Sequence, residues 1–402
     1  MEKRTRNLKL VGRDEVSLGE LIHQTVRRTI EQAVEEELRA ALGAGPYERR
    51  HERSGYRNGT KARTLTGPTG PLDLTLPRAR LERNDGRTEE WSSTVVPRYQ
   101  RRMREINEAV AGVYLSGGNT RRIRGALRPL LKDAPLSKSA VSRIITTLRG
   151  DWEAWRVQSL ADLNVVYVYL DAIALRIRSA GKVTSLPVLA AVAVLADGSK
   201  RLLSLEVCGA ESGAAWEGFI AALVARGLKP PRLCIIDGNA GLHRAITETW
   251  RNAKIQRCAV HKLRNILRKA PKHAHKEIVE DFHLIVYADG MTQAKAARDA
   301  FAKKWGKRCP GVVGSLDEAG DELLTYYGFP KEQWKTIRTT NVIERINLEF
   351  RRRVKTQGSF PTETCAIVLL YSLVASGQIN LRRIDGFEKI VDVVGKQEDQ
   401  AA

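Results

Sequence analysis

Apolar positions along the 402-residue chain change their spacing several times, and each change predicts a different kind of element. Residues 16–43, "VSLGELIHQTVRRTIEQAVEEELRAALG", repeat apolar side chains at helical intervals. Residues 46–80 break that rhythm with Gly, Pro and Thr, and "LDLTL" alternates as a short strand does. Residues 101–149 return to the helical period in three segments: "REINEAVAGVYLSG", "NTRRIRGALRPLL" and "PLSKSAVSRIITTLRG". The third opens on Ser137, a suitable N-cap. From residue 164 the chain turns β-rich. "NVVYVYLDAIALRIR" reads as one long strand, and "SLPVLAAVAVLADGSKRLLSLEV" as two strands joined at Asp197-Gly198, a hairpin signal. A helix ("SGAAWEGFIAALVARGL"), a buried strand ("PRLCIID"), a helix ("NAGLHRAITETW") and a short strand ("KIQRCAV") follow. Residues 261–328, 338–353 and 363–376 then read as helical. A three-strand meander followed by alternating helix and strand predicts an α/β fold with a mixed sheet.

Charge narrows the function. The formal net charge is +21, which points to a polyanionic partner, nucleic acid or an anionic membrane. The longest apolar run, Leu186 to Ala196, is too short to span a bilayer and contains Pro187. "MEKRTRNLKL" lacks the apolar core of a signal peptide. No membrane association is therefore expected, and a cytoplasmic location is. Cys208, Cys234, Cys258, Cys309 and Cys365 are odd in number and scattered, as reduced thiols are. No Walker-type loop or dinucleotide fingerprint occurs, so no nucleotide cofactor is expected. Of the +21, residues 51–150 carry +11, which makes that quarter the expected nucleic-acid grip. Its three helices match a helix-turn-helix pattern. Residues 46–80 read either as a basic β-ribbon laid against phosphates or as a solvated connector. His23, Trp152 and Trp155 read as structural residues.

Three carboxylates stand out. Asp171 lies within the first long strand, in line with Ile173, Leu175 and Ile177, so it shares a core-facing set. A buried carboxylate needs a cationic partner or a metal. Asp237 ends the fourth strand, where open α/β sheets bind ligands; it also reads as a helix cap, although Asn239 could fill that role. Glu344 sits in "RTTNVIERINLEFRRR", where Asn341 would be the N-cap and Glu344 its capping-box partner. Ile343, Ile346, Phe350 and Val354 form the apolar stripe of that helix, with Glu344, Asn347 and Arg351 on the strip beside it. Hard carboxylate oxygens suit Mg²⁺, and three of them suffice for two ions at one phosphodiester. An acid on the first strand, one ending the fourth and a later helical acid make an RNase H-like plan.

Four blocks carry a wider likeness: "RSGYRNGTKARTLTGPTGPLDLTLPRAR"; "VPRYQRRMREINEAVAGVYLSGGNTRRI" with "LSKSAVSRI"; "DGNAGLHRAI" with "QRCAVHKLRNI"; and "WKTIRTTNVIERINLEFRRRVKTQGSFP". In these blocks the chain resembles the Mutator-type DDE transposases of bacterial insertion sequences over almost its whole length. The resemblance implies an RNase H-like catalytic core over 160–402, with a helical insertion at about 262–335. Asp171, Asp237 and Glu344 would be the catalytic, metal-holding triad, with Mg²⁺ as cofactor and Mn²⁺ able to replace it. The family's C-x-x-H element falls on Cys258 and His261. His261 is expected at the catalytic site, with half of a zinc site and simple packing as the other readings. Ahead of the core would come an N-terminal helical segment (1–45), a basic β-ribbon or linker (46–98) and a helix-turn-helix-like domain (99–150). DNA contacts are expected from Arg57, Arg63, Arg121, Lys138, Arg143, Arg351, Arg352 and Arg353.

The implied activity is cleavage at the ends of the protein's own element, followed by transfer of the 3′-hydroxyl into target DNA. Double-stranded DNA is the expected partner, in a nucleoid-associated setting, and the active complex would be a homodimer. Three other readings fit the same composition: a DNA-binding regulator that has lost catalysis, an RNase H-like nuclease that does not rejoin strands, and a basic chromatin protein.

Overall fold

Helical periodicity in the first segment folds as α1 (Leu18–Leu42), opened by the Ser17 hydroxyl accepting from the Glu20 N–H and closed by Gly43 in the left-handed region. The computed structural model describes residues 17–48, 53–83, 85–116, 118, 123–132, 134–179, 181–355 and 358–395. The chain divides into two compact units, 1–146 and 147–402.

In the first unit, β1 (Gly55–Gly67) and β2 (Gly70–Glu82) form a long antiparallel hairpin, with β3 (Thr88–Glu90) on the far side of β2. Alternation along β2 turns Leu72, Leu74 and Leu76 inward, and they pack with Val34 of α1 and Val96. The "LDLTL" alternation is thus the middle of a thirteen-residue strand. His23 is structural: its Nδ1 lies 3.1 Å from the Thr69 hydroxyl. Helices follow: α2 (Arg104–Leu115), α3 (Ile123–Ala126), α4 (Arg128–Leu131) and α5 (Lys138–Arg156), the last crossing the boundary between the units. Within its described residues, 123–131, the predicted second helix is two single turns. Pro129, in the first turn of α4, cannot donate the N–H that a continuous helix requires. Ser137 does accept from the Ala140 N–H, as an N-cap should.

The second unit is a mixed α/β assembly. Its sheet holds β4 (Val165–Ser179), β5 (Lys182–Leu195), β6 (Lys200–Val207), β7 (Leu233–Ile236) and β8 (Lys254–Arg257). The spatial order is β6-β5-β4-β7-β8. The first three strands are antiparallel, while β4 pairs β7, and β7 pairs β8, in parallel. The Asp197-Gly198 hairpin forms where its signal predicts, with Gly198 at φ 79°.

Helices α6 (Gly213–Ala225) and α7 (Ala240–Thr249) cover one face. Val168 and Leu170 of β4 point to that side, into a core with Trp216, Phe219 and Ile246. Tyr167, Tyr169, Asp171 and Ile173 therefore face the other way. Then come α8 (Ala259–Arg268), α9 (His275–Val286), α10 (Met291–Trp305), α11 (Pro310–Asp317), α12 (Trp334–Ile337), α13 (Asn341–Val354), α14 (Glu363–Ala375) and α15 (Ile390–Gly395). Ile343, Ile346, Phe350 and Val354 are all buried, and this stripe docks α13 against β4. Trp152 is buried, and Trp155 stacks on Tyr371 at 4.6 Å; both are structural. Among the described residues, no helix is long and apolar enough to cross a membrane.

Candidate active site

The parallel register of β4 and β7 brings two of the carboxylates together. Tyr169 pairs with Ile235, so two residues further along both strands stand Asp171 and Asp237. Side chains two apart share a face, and the two acids emerge side by side. Asp237 lies just past β7, where its Oδ1 accepts the Asn239 N–H at 3.0 Å. The cap of α7 is Asn239 itself, whose Oδ1 accepts from the Leu242 N–H. Asp237 is therefore not used as the helix cap. Gly238 turns the chain at φ 104°.

Asp171 accepts the Ala172 N–H on Oδ1 and the Asn347 amide on Oδ2, each at 2.9 Å. Burial, and then repulsion from Asp237, push its carboxyl up to about 7; the Ala172 hydrogen bond and His261 oppose that only in part.

The expected capping box is not formed. Asn341 is the first helical residue of α13, and Thr340 precedes it without a side-chain cap. The Thr340 hydroxyl instead donates to the Cys258 sulfur at 3.2 Å, as does its N–H. Glu344, with no cap to serve, lies 3.3 Å from His261 Nε2 and 3.4 Å from Arg264 Nη1.

His261 links these groups, because its Nδ1 is 3.3 Å from Thr340 Oγ1 while its Nε2 faces Glu344. Its hydrogen bond with Cys258, opposed by burial and helped by Glu344 and Asp237, holds the imidazole above its ordinary value. Burial resists ionisation of the Cys258 thiol, but hydrogen bonds from His261 and Thr340 outweigh it and hold the thiol below the usual range. An imidazolium, a donor on both nitrogens, satisfies both neighbours. Cys258 is fully buried and bound to this network, and His261 faces the carboxylates.

Asp171, His261, Arg264, Glu344, Asn347 and Arg351 line one cleft of about 260 Å³. Among the described residues, no three His, Cys, Asp or Glu side chains gather as a ready-made metal cage. Two other features suit a divalent cation. Asp171 and Asp237 are hard oxygen donors whose mutual repulsion a cation would relieve. The Asn347 Oδ1 is buried, lacks a hydrogen-bond partner and belongs to the same cleft. Glu344 would have to exchange its Arg264 contact to join such an ion.

The comparisons with known proteins agree with one another. The family described as "Transposase, Mutator family" matches residues 2–383. The chain belongs to the Mutator family of transposases. It is 36% identical to the transposase for insertion sequence element ISRM5 of Rhizobium meliloti, over 81% of this chain and 80% of that one. It is 32% identical to the IS406 transposase of Burkholderia multivorans, covering 84% and 85% of the two chains. The IS1081 transposase of Mycobacterium tuberculosis is 34% identical, covering 84% and 79%.

In this Mutator-family chain the cations expected at DNA have varied surroundings. Arg57 is ion-paired to Glu35 at 2.7 Å. Arg63 donates to the carbonyls of Val96, Pro97 and Gln100 and pins that loop. Lys138 and Arg143 are exposed on α5. Arg121 lies outside the described residues. Arg351 is exposed at the cleft, Arg352 pairs with Glu349 at 3.4 Å, and Arg353 is half-buried. The sequence reading placed Asn347 beside Glu344 but gave it no chemistry, and it missed Arg264. Helical spacing from His261 to Arg264, the same as from Cys258 to His261, was the available signal.

Proposed function

We propose that the protein is a metal-dependent DNA transposase that hydrolyses phosphodiesters at the ends of its insertion sequence and transfers the resulting 3′-hydroxyl to target DNA. The single observation that carries this reading is that Asp171 lies close to both Asp237 and Glu344. The first two meet through the β4–β7 register, and the third faces the same cleft as Asp171. The strand order, with a meander followed by two parallel strands, supports an RNase H-like core. The naming of its relatives as insertion-sequence transposases supports the DNA substrate.

In this reading Asp171, Asp237 and Glu344 would hold Mg²⁺ or Mn²⁺, which when bound lowers the proton affinity of the attacking oxygen and offsets charge on the leaving oxygen. The chain's own residues do the rest. Asn347 orients Asp171 through its amide. His261 steadies Glu344 through its Nε2 and adds positive charge beside the carboxylates. Arg264 and Arg351 supply positive charge along the cleft for the phosphate backbone. Lys138 and Arg143 on α5 remain the proposed contacts to the element ends, and two protomers would pair those ends.

The test uses labelled DNA carrying the element's inverted repeat, Mg²⁺ or Mn²⁺, and wild type beside Asp237→Asn. Nicking at the repeat boundary together with joined products, both lost in the variant, is expected. Cutting without joining would favour a nuclease, and tight binding without chemistry under either metal would favour a regulator.

Two further outcomes follow from the site. Asn347→Ala should slow cleavage about 10–100-fold, the usual effect of removing a group that orients a metal ligand. DNA affinity should stay unchanged, and an unaltered rate would remove Asn347 from the site. Metal affinity, read by Mn²⁺ titration, should weaken as pH falls below about 7. Below that value the proton on Asp171 competes with the cation. A flat affinity between pH 6 and 8 would contradict Asp171 as a ligand.

A further inference from the structure

Helix α13 has a second cleft on its other flank. Glu344, Asn347 and Arg351 face the catalytic cleft, whereas Asn341, Arg345 and Glu349 face a cavity of about 600 Å³ closed by the segment from Gln378 to Asp385. Five cations line this second cavity: Lys200 from β6, Lys335 from α12, Arg345 from α13, and Arg382 and Arg383 from the C-terminal segment. Only two acids do, Glu349 and Asp385, and Glu349 is already paired with Arg352.

Four of the five cations are not consumed by the fold. Lys335, Arg345, Arg382 and Arg383 are exposed. Among the described residues, none of these four has a carboxylate within ion-pair distance. Arg383 lies over the Phe387 ring, 5.1 Å from its centroid.

The segment that carries two of them is held in place. Lys200 Nζ donates to the Arg382 carbonyl at 2.6 Å. The Ile384 N–H donates to the Gly198 carbonyl, and the Ile384 side chain is buried. The half-buried Lys200 head is held below its ordinary value first by burial, with Arg345 adding to the effect and Asp385 opposing it. Like charges thus outnumber the acids here, and a bound anion would relieve their repulsion. The Gln378 Oε1 in the same cavity is also buried without a partner.

We propose that this groove binds the phosphate backbone of DNA apart from the strand in the catalytic cleft, so that α13 stands between two DNA-binding surfaces. The cation cluster stands on its own geometry; the choice of DNA as the polyanion rests on the transposase reading. Arginine forks match phosphate oxygens, and an open groove with several separated cations suits a backbone better than one small anion. The backbone would come either from DNA flanking the element end or from the recipient duplex.

The test is equilibrium binding across a salt series, with Asp237→Asn as the parent so that no chemistry intervenes. The parent is compared with a variant that adds Lys335→Gln, Arg382→Gln and Arg383→Gln, all exposed side chains that do not line the catalytic cleft. Two duplexes are used, one carrying the inverted repeat with its flank and one of unrelated sequence. Losing two or three phosphate contacts should lower the slope of log affinity against log salt by about 2–3 and weaken binding at least about tenfold near 0.1 M salt. Loss on both duplexes, or on the unrelated one alone, assigns the groove to recipient DNA. Loss on the repeat duplex alone assigns it to the flank. A companion variant with Arg382→Lys and Arg383→Lys should keep the slope, which separates lost charge from lost folding. Unchanged slope and affinity on both duplexes would overturn the proposal. Because the readout is binding, a wild type that fails to cleave would refute the catalytic reading and leave this result standing.

Discussion

Asp171→Asn should abolish cleavage and at the same time stabilise the metal-free protein. Losing an anionic ligand removes several kcal/mol of charge stabilisation at the reacting phosphate, so the rate should fall by at least about 10³-fold. The stability effect follows from the environment. Burial and the Asp237 charge raise the Asp171 carboxyl from 3.8 to about 7. Because the folded-state value is above the unfolded one, the protonated form is favoured by folding. Stability is then fully present below about 4 and declines as pH rises toward about 7. An amide carries no charge to repel Asp237, so at pH 8 the variant should gain on the order of 2 kcal/mol, and this pH dependence should flatten. The hydrogen bonds can be kept: an Asn at 171 can accept the Ala172 N–H, and Asn347 can rotate its amide to offer the Oδ1 that has no partner in the wild type. Thermal melts of metal-free protein between pH 5 and 8, beside cleavage assays, check both halves. Near-normal turnover would remove Asp171 from the ligand set, and a lower melting temperature at pH 8 would mean its charge is already compensated.

The parts of this site that were readable from sequence are those fixed by local periodicity. Alternation along 165–179 put Asp171 on the Ile173 face, and the short apolar run 233–236 put Asp237 at a strand end. The helical stripe of 343–354 put Glu344 beside a docked face. The missed features depend on partners far along the chain. Asn341 looked like the cap of α13 because Thr340 owes its conformation to Cys258, 82 residues earlier. The intramolecular partners of Arg57 and Arg63, Glu35 and the carbonyls of 96–100, lie 22 and more residues away and have no local signal. Likewise the second basic groove gathers side chains from positions 200, 335, 345, 382 and 383, and no window of the sequence contains them together. The break between α3 and α4 was visible in Pro129 and was overridden by the apolar pattern around it.

Gly238→Ala should be the most damaging small substitution near the site, costing about 3 kcal/mol of stability and most of the cleavage activity. Two effects add. Gly238 sits at φ 104°, a conformation strained for any residue with a Cβ. The added Cβ would also overlap the guanidinium of Arg257. That group cannot swing away cheaply. Its side chain is 6% exposed, its Nη2 is held by Glu318 at 2.9 Å, and its Nη1 is near Glu322. Glu318 also pairs with Lys262, whose Nζ is buried and donates to the Ser315 carbonyl at 2.8 Å. Displacing Arg257 would leave buried cations sharing a disrupted counter-ion, a change that commonly costs about 3–5 kcal/mol. The cheaper response is for the 237–239 turn to move, and that carries Asp237 out of register with Asp171. A double-mutant cycle with Arg257→Ala separates the two contributions. Removing the guanidinium should relieve the overlap and leave the backbone strain, giving a favourable coupling of at least about 1 kcal/mol in chemical denaturation. Strict additivity would assign the whole cost to φ. A Gly238→Ala protein with wild-type stability and cleavage would mean that Arg257 is not a fixed wall behind the Asp237 turn.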